Sequence, residues 1–348
     1  MEDREFWRNE RIAFLALSAL KGIGFWTLHK IAQSGIGFKV ILKEPEKVGL
    51  DKLLQDEGCG GEEGQIELWN RGISIARDLA SQGIHLCFKS EPDFPKKLSE
   101  ISDAPEWLFV QGRLENLCRP AVTIVGTRKP SDDGYFLTRY VTTVLTKTQF
   151  VTVSGLASGI DQTAHLESIR YGIPTVAVLG TGILQDYPKG SDVVRKHILD
   201  GGGTIVSEYL PTQSYSADNF VRRNRLQAAL GNVLIPTEWA IKSGTAHTVR
   251  FASKYNRLIL NICLPGRLGQ SPEMLYAEQE YGAYSFELPC EERLLSFIES
   301  TLPGSSFSDI EVANGATNFP TLVEINKSDL DDIEVDLEFD KERQLRLI

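Results

Sequence analysis

Two glycine-bearing turns hold the residues best suited to chemistry. Gly126-Thr127-Arg128-Lys129 follows the apolar run 121–125, and Ser154-Gly155-Leu156-Ala157-Ser158-Gly159-Ile160-Asp161 closes the run 150–154. Bare backbone at Gly126, Gly155 and Gly159 lets N–H groups face an anion where helices begin. Three more runs end in the same manner. Gly180-Thr181-Gly182 follows 175–179, Ser207-Glu208-Tyr209 ends 204–207, and Lys242-Ser243-Gly244-Thr245 comes after 233–237 and Glu238. Between the last two lies the cluster Arg222-Arg223-Asn224-Arg225. Guanidinium forks match phosphate oxygens, an ammonium adds a point charge, and small hydroxyls and bare N–H groups complete the set. Converging on one rim, these residues suit a phosphodiester track. Each glycine turn taken alone has a plainer reading, close helix–strand packing, and the arginines taken alone are a solvated helix face. Three arginines in four residues beside Asn224 favour phosphate.

Catalytic readings are weaker. Asp161 and His165 stand four apart on an expected helix, the spacing of a metal pair or an acid–base pair. No third ligand is in sight, so a helix cap and a packed histidine are expected instead. Ser154 with His247 lacks the strained G-x-S-x-G turn that frames a nucleophilic serine. The five cysteines, Cys59, Cys87, Cys118, Cys263 and Cys290, are scattered without a C-x-x-C pair, which argues against a disulfide framework and a zinc site. Neither a catalytic residue, a metal nor a cofactor is expected.

The elements that must position these residues are a strand–helix series. Apolar runs at 83–88, 107–110, 121–125, 150–154, 175–179, 204–207, 233–237 and 258–264 read as strands, with helical intervals between most of them. Continuous apolar strands joined by crossover helices predict an α/β fold with a doubly wound, mostly parallel sheet, whose carboxyl ends carry the ligand loops. Residues 5–80 are expected to be helical, since Ile12, Leu15, Ala16, Ala19 and Leu20 recur at helical spacing. Gly22-Ile23-Gly24 and Gly35-Ile36-Gly37 divide them, either as backbone-holding helix–glycine–helix pairs or as tight connections in a small bundle, and Gly58 to Gly64 reads as a loop. The expected organisation is a helical domain over 1–82, an α/β core over 83–290, and an acidic, flexible tail over 291–348.

Charge supports that division. The chain of 348 residues has a net charge of −10, yet from Thr301 onward eleven acidic residues face Lys327, Lys341, Arg343 and Arg346, so most of the excess sits in the tail. A basic groove in the remainder is therefore compatible with an acidic total. No apolar run nears the roughly 20 residues of a membrane span, and the start MEDREFWRNER is too charged for a secretory signal. A cytoplasmic protein without membrane contact is expected.

As a set, these loops resemble the DNA-processing protein A family, DprA, also called Smf. The matching pieces are GTR at 126–128, SGLASGID at 154–161 with Ala164-His165, VLGTG at 178–182 with YP at 187–188, SEY at 207–209, RNR at 223–225, SGT at 243–245 and PG at 265–266, with Asp93 to Leu98 and Leu108 to Gly112 upstream. The resemblance spans roughly residues 10 to 266. It implies an extended Rossmann-like domain behind a helical SAM-like, helix-hairpin-helix domain, usually a homodimer, that protects single-stranded DNA and hands it to the RecA recombinase. Carried over by position, Gly126, Thr127, Arg128, Ser154, Gly155, Ser158, Gly159, Arg222, Arg223, Asn224, Arg225, Lys242, Ser243, Gly244 and Thr245 are the expected DNA-binding residues. Val221 stands where the family commonly has proline, and the winged-helix module of many members has no counterpart in the acidic tail. Two other readings remain open. One is a nucleotide hydrolase similar to the LOG phosphoribohydrolases, although 242–250 lacks that family's double glycine and downstream glutamate. The other is a DprA relative serving phage defence.

Overall fold

The computed structural model of the chain describes residues 2–302. Five helices come first: α1 (Glu2–Ser18), α2 (Phe25–Gln33), α3 (Phe38–Lys43), α4 (Asp51–Asp56) and α5 (Gly61–Ser81). The run from Ile12 to Leu17 in α1 is buried on every side, because α1 lies between α5 and the sheet. Gly72 permits this approach. A Cβ there would overlap the Ile12 carbonyl and the Ala16 side chain. The stretch expected as a loop over Gly58 to Gly64 is loop only to Gly60, after which α5 begins with Gly64 pressed on the Cys59 backbone. Of the two helix–glycine–helix turns, the second is closed to ligands. The buried carboxylate of Glu10 accepts from the N–H groups of Phe38 at 2.6 Å and Lys39 at 3.2 Å, so the chain's own acid caps α3.

The α/β series follows as β1 (Ile84–Phe88), α6 (Lys96–Ser99), β2 (Trp107–Gly112), β3 (Ala121–Gly126), α7 (Asp132–Leu145), β4 (Val151–Ser154), α8 (Ile160–Arg170), β5 (Thr175–Val178) and α9 (Asp192–Asp200). It continues through β6 (Thr204–Ser207), α10 (Ala217–Leu230), β7 (Val233–Glu238), α11 (Gly244–Lys254), β8 (Leu258–Cys263), α12 (Pro272–Tyr281), β9 (Tyr284–Glu287) and α13 (Glu291–Glu299). All nine strands form one sheet in the order β1-β2-β6-β5-β4-β3-β7-β8-β9. From β6 to β9 every pairing is parallel, while β2 runs antiparallel to both β6 and β1. The chain therefore winds one way from β3 through β6 and the other way from β7 to β9, and the carboxyl ends of β3 to β8 share one rim. The fold is the expected α/β class, a mostly parallel sheet with helices and an N-terminal helical region.

Alternation along the strands divides the core. Ile84, Leu86 and Phe88 face the N-terminal helices, together with Trp107, Phe109, Ile205 and Leu179, while Cys87, Leu108 and Val110 face α10 through Leu226 and Leu230. The ring of Phe14 is the joint between helices and sheet, lying 4.8 Å from Trp107, 5.1 Å from Phe38 and 5.6 Å from Phe88. The helical region and the sheet thus share one apolar cluster, and all described residues fall within one compact unit.

The sequence reading misses β9 and misplaces the start of the tail. Tyr284–Glu287 is a four-residue edge strand with Phe286 alone fully buried, so no apolar run marks it. Residues 291–299, expected in the flexible tail, form α13, whose Leu294, Phe297 and Ile298 are buried against Phe286 and the α7 side of the sheet. Glu292 and Glu299 stay exposed on the opposite face, so α13 is an amphipathic helix docked on the core. The rest of that tail, 303–348, lies outside the described residues. No helix of the described residues is long and apolar enough to cross a membrane.

Candidate nucleic-acid interface

A cleft opens above the carboxyl ends of β3, β4 and β5, with a cavity volume of about 120 Å³. The loop after β3 supplies Arg128; the loop after β4 supplies Gly155, Ala157 and Ser158; the loop after β5 supplies Gly180 and Thr181; and α10 adds Phe220 and Arg223. Tyr187 and Pro188 form its outer wall.

Each loop is held by specific bonds. The β3 loop is braced by Glu238 at the end of β7. Its carbonyl accepts from the Thr127 N–H at 2.7 Å, and its carboxylate accepts from the N–H of Ser131 at 2.9 Å and the hydroxyl at 3.1 Å. Gly159 meets that loop directly. It adopts φ +84°, and a Cβ there would lie 2.5 Å from the Thr127 carbonyl oxygen, so no other residue fits. Nearby, Leu156 is fully buried with φ +63°, a left-handed conformation rare for a branched apolar residue and held here by its packing. The expected cap role of Asp161 takes the form of a loop tie: its buried carboxylate accepts from the Gly155 N–H at 3.1 Å. Burial raises its pKa, and the charge of Arg223 opposes that rise. His165 is packed in the core, its Nδ1 2.7 Å from the Thr175 hydroxyl, and burial with the Arg223 charge lowers its pKa to about 3. It is a neutral structural group. Among the described residues no three His, Cys, Asp or Glu side chains gather as metal ligands.

The arginine cluster divides by face of α10. Arg223 is buried and donates Nη1 to the Gly155 carbonyl at 2.7 Å and to that of Val178, tying the β4 and β5 loops together beneath the cleft. Gly155 has to be glycine because a Cβ would overlap the Arg223 guanidinium and the Gln227 amide. Arg225 corrects the expectation of phosphate contact. It is buried and held by Glu208, and its Nε donates to the Asp103 carbonyl at 2.9 Å. Asn224 is likewise buried, its amide donating to the Gly244 carbonyl at 3.0 Å. The hydroxyl of Ser154 points inward and donates to the Ile124 carbonyl at 2.7 Å. These three are scaffold rather than surface: Asn224 and Arg225 lie in the stretch of α10 from Arg223 onward that is buried on every side, and Ser154 ends the buried strand β4. Arg222 points the other way, over the rings of Trp26 and Phe25.

Of the fifteen expected residues, the structure brings Arg128, Gly155, Ser158 and Arg223 to the cleft wall, with Gly126, Thr127 and Gly159 in the loops behind it. Lys242, Ser243, Gly244 and Thr245 are absent from the cleft lining; they occupy the turn from β7 into α11, where Lys242 and Gly244 are exposed.

Reasoning from the sequence missed the aromatic wall. Tyr187, Tyr215 and Phe220 stand together with ring centroids 4.5 Å, 5.1 Å and 6.3 Å apart, and the exposed Arg128 lies with its guanidinium carbon 5.7 Å from the centre of Phe220. A signal for two of the three exists in SYSADNF. Ser216 caps α10, accepting from the Asn219 N–H at 3.1 Å, and its flanking residues Tyr215 and Phe220 occupy the N′ and N4 positions of a hydrophobic staple. Beneath the cleft, Arg223 Nε and Thr181 Oγ1 are buried without a hydrogen-bond partner. Cation, bare backbone, unsatisfied polar atoms and stacked rings therefore converge on one rim.

The family profile described as DNA recombination-mediator protein A matches residues 85–278. The chain belongs to the DNA recombination-mediator protein A family. It is 32% identical over 262 residues to protein Smf of Synechocystis, covering 73% of this chain and 65% of that one. To the DNA processing protein DprA of Streptococcus pneumoniae it is 32% identical over 259 residues, covering 70% of this chain and 87% of the relative. The solved structure of DprA from Streptococcus pneumoniae superposes with a TM-score of 0.56 at 30% identity, over 76% of this chain and 95% of that one. DNA processing protein A from Helicobacter pylori, solved for its unique single-stranded DNA binding mode, superposes with a TM-score of 0.55 at 26% identity, over 62% and 96%.

Proposed function

We propose that this DprA-family protein binds single-stranded DNA across the rim cleft, without chemical turnover, and mediates recombination by protecting the strand and delivering it to a recombinase of the RecA type. One observation carries the reading: Arg128, the glycine backbone and the rings of Tyr187 and Phe220 line one cleft, with the exposed ring of Tyr215 packed beside both. Phosphates need the first two and unpaired bases the third, since every base has a face to stack whatever its identity. A duplex hides those faces. The single-strand binding described for the Helicobacter pylori relative supports the assignment. The family's description as a recombination mediator supports the delivery step.

The test is fluorescence anisotropy with single- and double-stranded oligonucleotides of about 30 nucleotides, longer than the roughly 4–16 nucleotide footprints of single-strand binders, across a salt series. Preference for the single strand and a linear fall of log affinity with log salt are expected. Salt-insensitive binding, or equal affinity for duplex, contradicts the reading.

A further inference from the structure

The strand ends along the rim follow the order β3, β4, β5, β6, and the cleft occupies the first three. At the fourth, side chains from the two layers meet. Arg222 of α10 places its guanidinium carbon 4.6 Å from the Trp26 ring centre and 5.4 Å from that of Phe25, both on α2. Phe25 fills the core, 5.3 Å from Trp107 and 5.4 Å from Tyr209. Tyr209 follows β6, and its hydroxyl donates at 2.9 Å to the carbonyl of Asn219, the residue before Phe220 in the cleft. The first turn of α2 is thus fixed to the stretch of α10 that supplies the cleft's aromatic wall.

Trp26 contributes little to that anchoring. It is 40% exposed, with exposed Lys21 and Lys30 on its flanks in sequence and open space at Gly24 before it. Local charge is already arranged for an anion. Arg222 Nε pairs at 3.5 Å with the buried Glu208 carboxylate that Arg225 also grips, so two guanidinium charges meet one carboxylate, and Arg222 retains a quarter of its side-chain exposure. Burial and the Arg222 charge lower the pKa of the adjacent His29. An exposed indole and a guanidinium stacked on it fit the two halves of a nucleotide, the base on the ring and the phosphate on the cation.

We propose that Trp26 and Arg222 form a second contact for single-stranded nucleic acid, in which Trp26 stacks a base of the strand leaving the cleft and Arg222 holds the adjoining phosphate. The inference rests on the cleft reading above and extends it to the helical region. The end of β6 lies one strand spacing, about 5 Å, beyond that of β5, a step that one or two further nucleotides cover. The strand would then run from Arg128 past the Tyr187-Tyr215-Phe220 wall to α2.

The test compares oligothymidylates of roughly 4 and 16 nucleotides, the two ends of the single-strand footprint range, on the full chain. Trp26→Ala is expected to weaken the longer oligomer by roughly 5- to 150-fold, the equivalent of about 1–3 kcal/mol per stacked base, and to leave the shorter within about twofold. Trp26→Phe should recover most of the loss. In the wild-type chain, light-induced cross-linking of a 5-iododeoxyuridine oligomer should mark Trp26 in peptide mapping, a readout that needs no variant to fold. If Trp26→Ala leaves both affinities unchanged while Arg128→Ala weakens both, or if cross-links fall on the cleft aromatics alone, the second contact is refuted and the cleft stands. If the wild-type chain binds neither oligomer, the cleft reading falls and this inference with it.

Discussion

Arg225 grips both carboxylate oxygens of Glu208, Nη1 to Oε1 at 2.7 Å and Nη2 to Oε2 at 2.6 Å, with neither side chain more than 2% exposed. The pair locks α10 to the end of β6, and the Nε bond to Asp103 adds the loop before β2. Replacing both members of a buried pair by apolar groups is often tolerated, but removing one strands a charge in the core. Arg225→Ala is expected to cost about 3–5 kcal/mol in urea unfolding, and a paired apolar replacement of Arg225 and Glu208 distinctly less. Unchanged stability in Arg225→Ala with a selective loss of DNA affinity would return Arg225 to the ligand surface.

The same pair sets an acid limit. Burial pushes the pKa of Glu208 up, but the Arg225 and Arg222 charges together pull it further down, so it ends below the ordinary 4.5. A carboxylate depressed in the folded state contributes stability that is fully present above its unfolded pKa and is lost as pH falls through the folded one. Unfolding free energy should therefore drop below about pH 4.5, and the drop should shrink in the paired apolar variant. A pH profile that is the same in wild type and paired variant would contradict this.

Arg128 is the contrasting case. It is exposed, its guanidinium lies over Phe220, and no hydrogen bond or ion pair of it is present among the described residues. Arg128→Ala should leave the thermal transition unchanged and weaken single-strand binding by about 1.5–3 kcal/mol, the range for hydrogen bonds to charged groups, or roughly ten- to a hundredfold in Kd. Lysine should recover part of this, keeping the charge and losing the fork. Turnover of nucleoside monophosphates that vanishes in Arg128→Ala, with DNA affinity intact, would instead favour a hydrolase.

Composition and spacing were enough to read the sheet and its rim, because strands buried on both faces are written as short, mostly apolar runs, several of which end in glycine. Eight of the nine strands are legible that way, and β9 is not, since an edge strand with Phe286 alone buried leaves no run. Which arginine faces the ligand was not legible. Arg222, Arg223 and Arg225 are adjacent letters, and only the rotation of α10 sends one to Trp26, one beneath the cleft and one to Glu208. The aromatic wall was hidden for a different reason. Tyr187 and Phe220 lie 33 positions apart in the numbering and meet at 5.1 Å only once the β5 loop folds over α10.

Glycine substitutions separate the cleft from the β7–α11 turn. Gly155→Ala drives a methyl into Arg223 and Gln227, so a loss of about 1–3 kcal/mol in stability is expected together with loss of DNA binding. Gly244 has open space around its Cβ position and starts α11, so Gly244→Ala should be neutral or stabilising by up to about 1 kcal/mol. If that silent methyl nevertheless weakens DNA binding, the strand approaches the Ser243-Gly244-Thr245 turn as well as the cleft. Denaturant unfolding and anisotropy on the two variants distinguish these outcomes.

Tyr215 offers the sharpest test of base stacking, because it has two separable roles. It is 58% exposed, its ring centroid lies 4.5 Å from that of Tyr187 at a tilt of 34°, and it closes the staple onto Phe220 at 6.3 Å. A staple needs only apolar contact, whereas a base platform needs a ring. Tyr215→Leu should therefore keep the melting temperature within a few degrees and still lose affinity for single strands by about 1–3 kcal/mol, the range for one stacked base. Tyr215→Phe should retain both. The loss should also persist at high salt, since stacking carries no counterion release, while the loss in Arg128→Ala should narrow as salt rises. If Tyr215→Leu binds like wild type at every salt concentration, Tyr215 serves α10 alone, and the cleft holds its strand by phosphates without the bases.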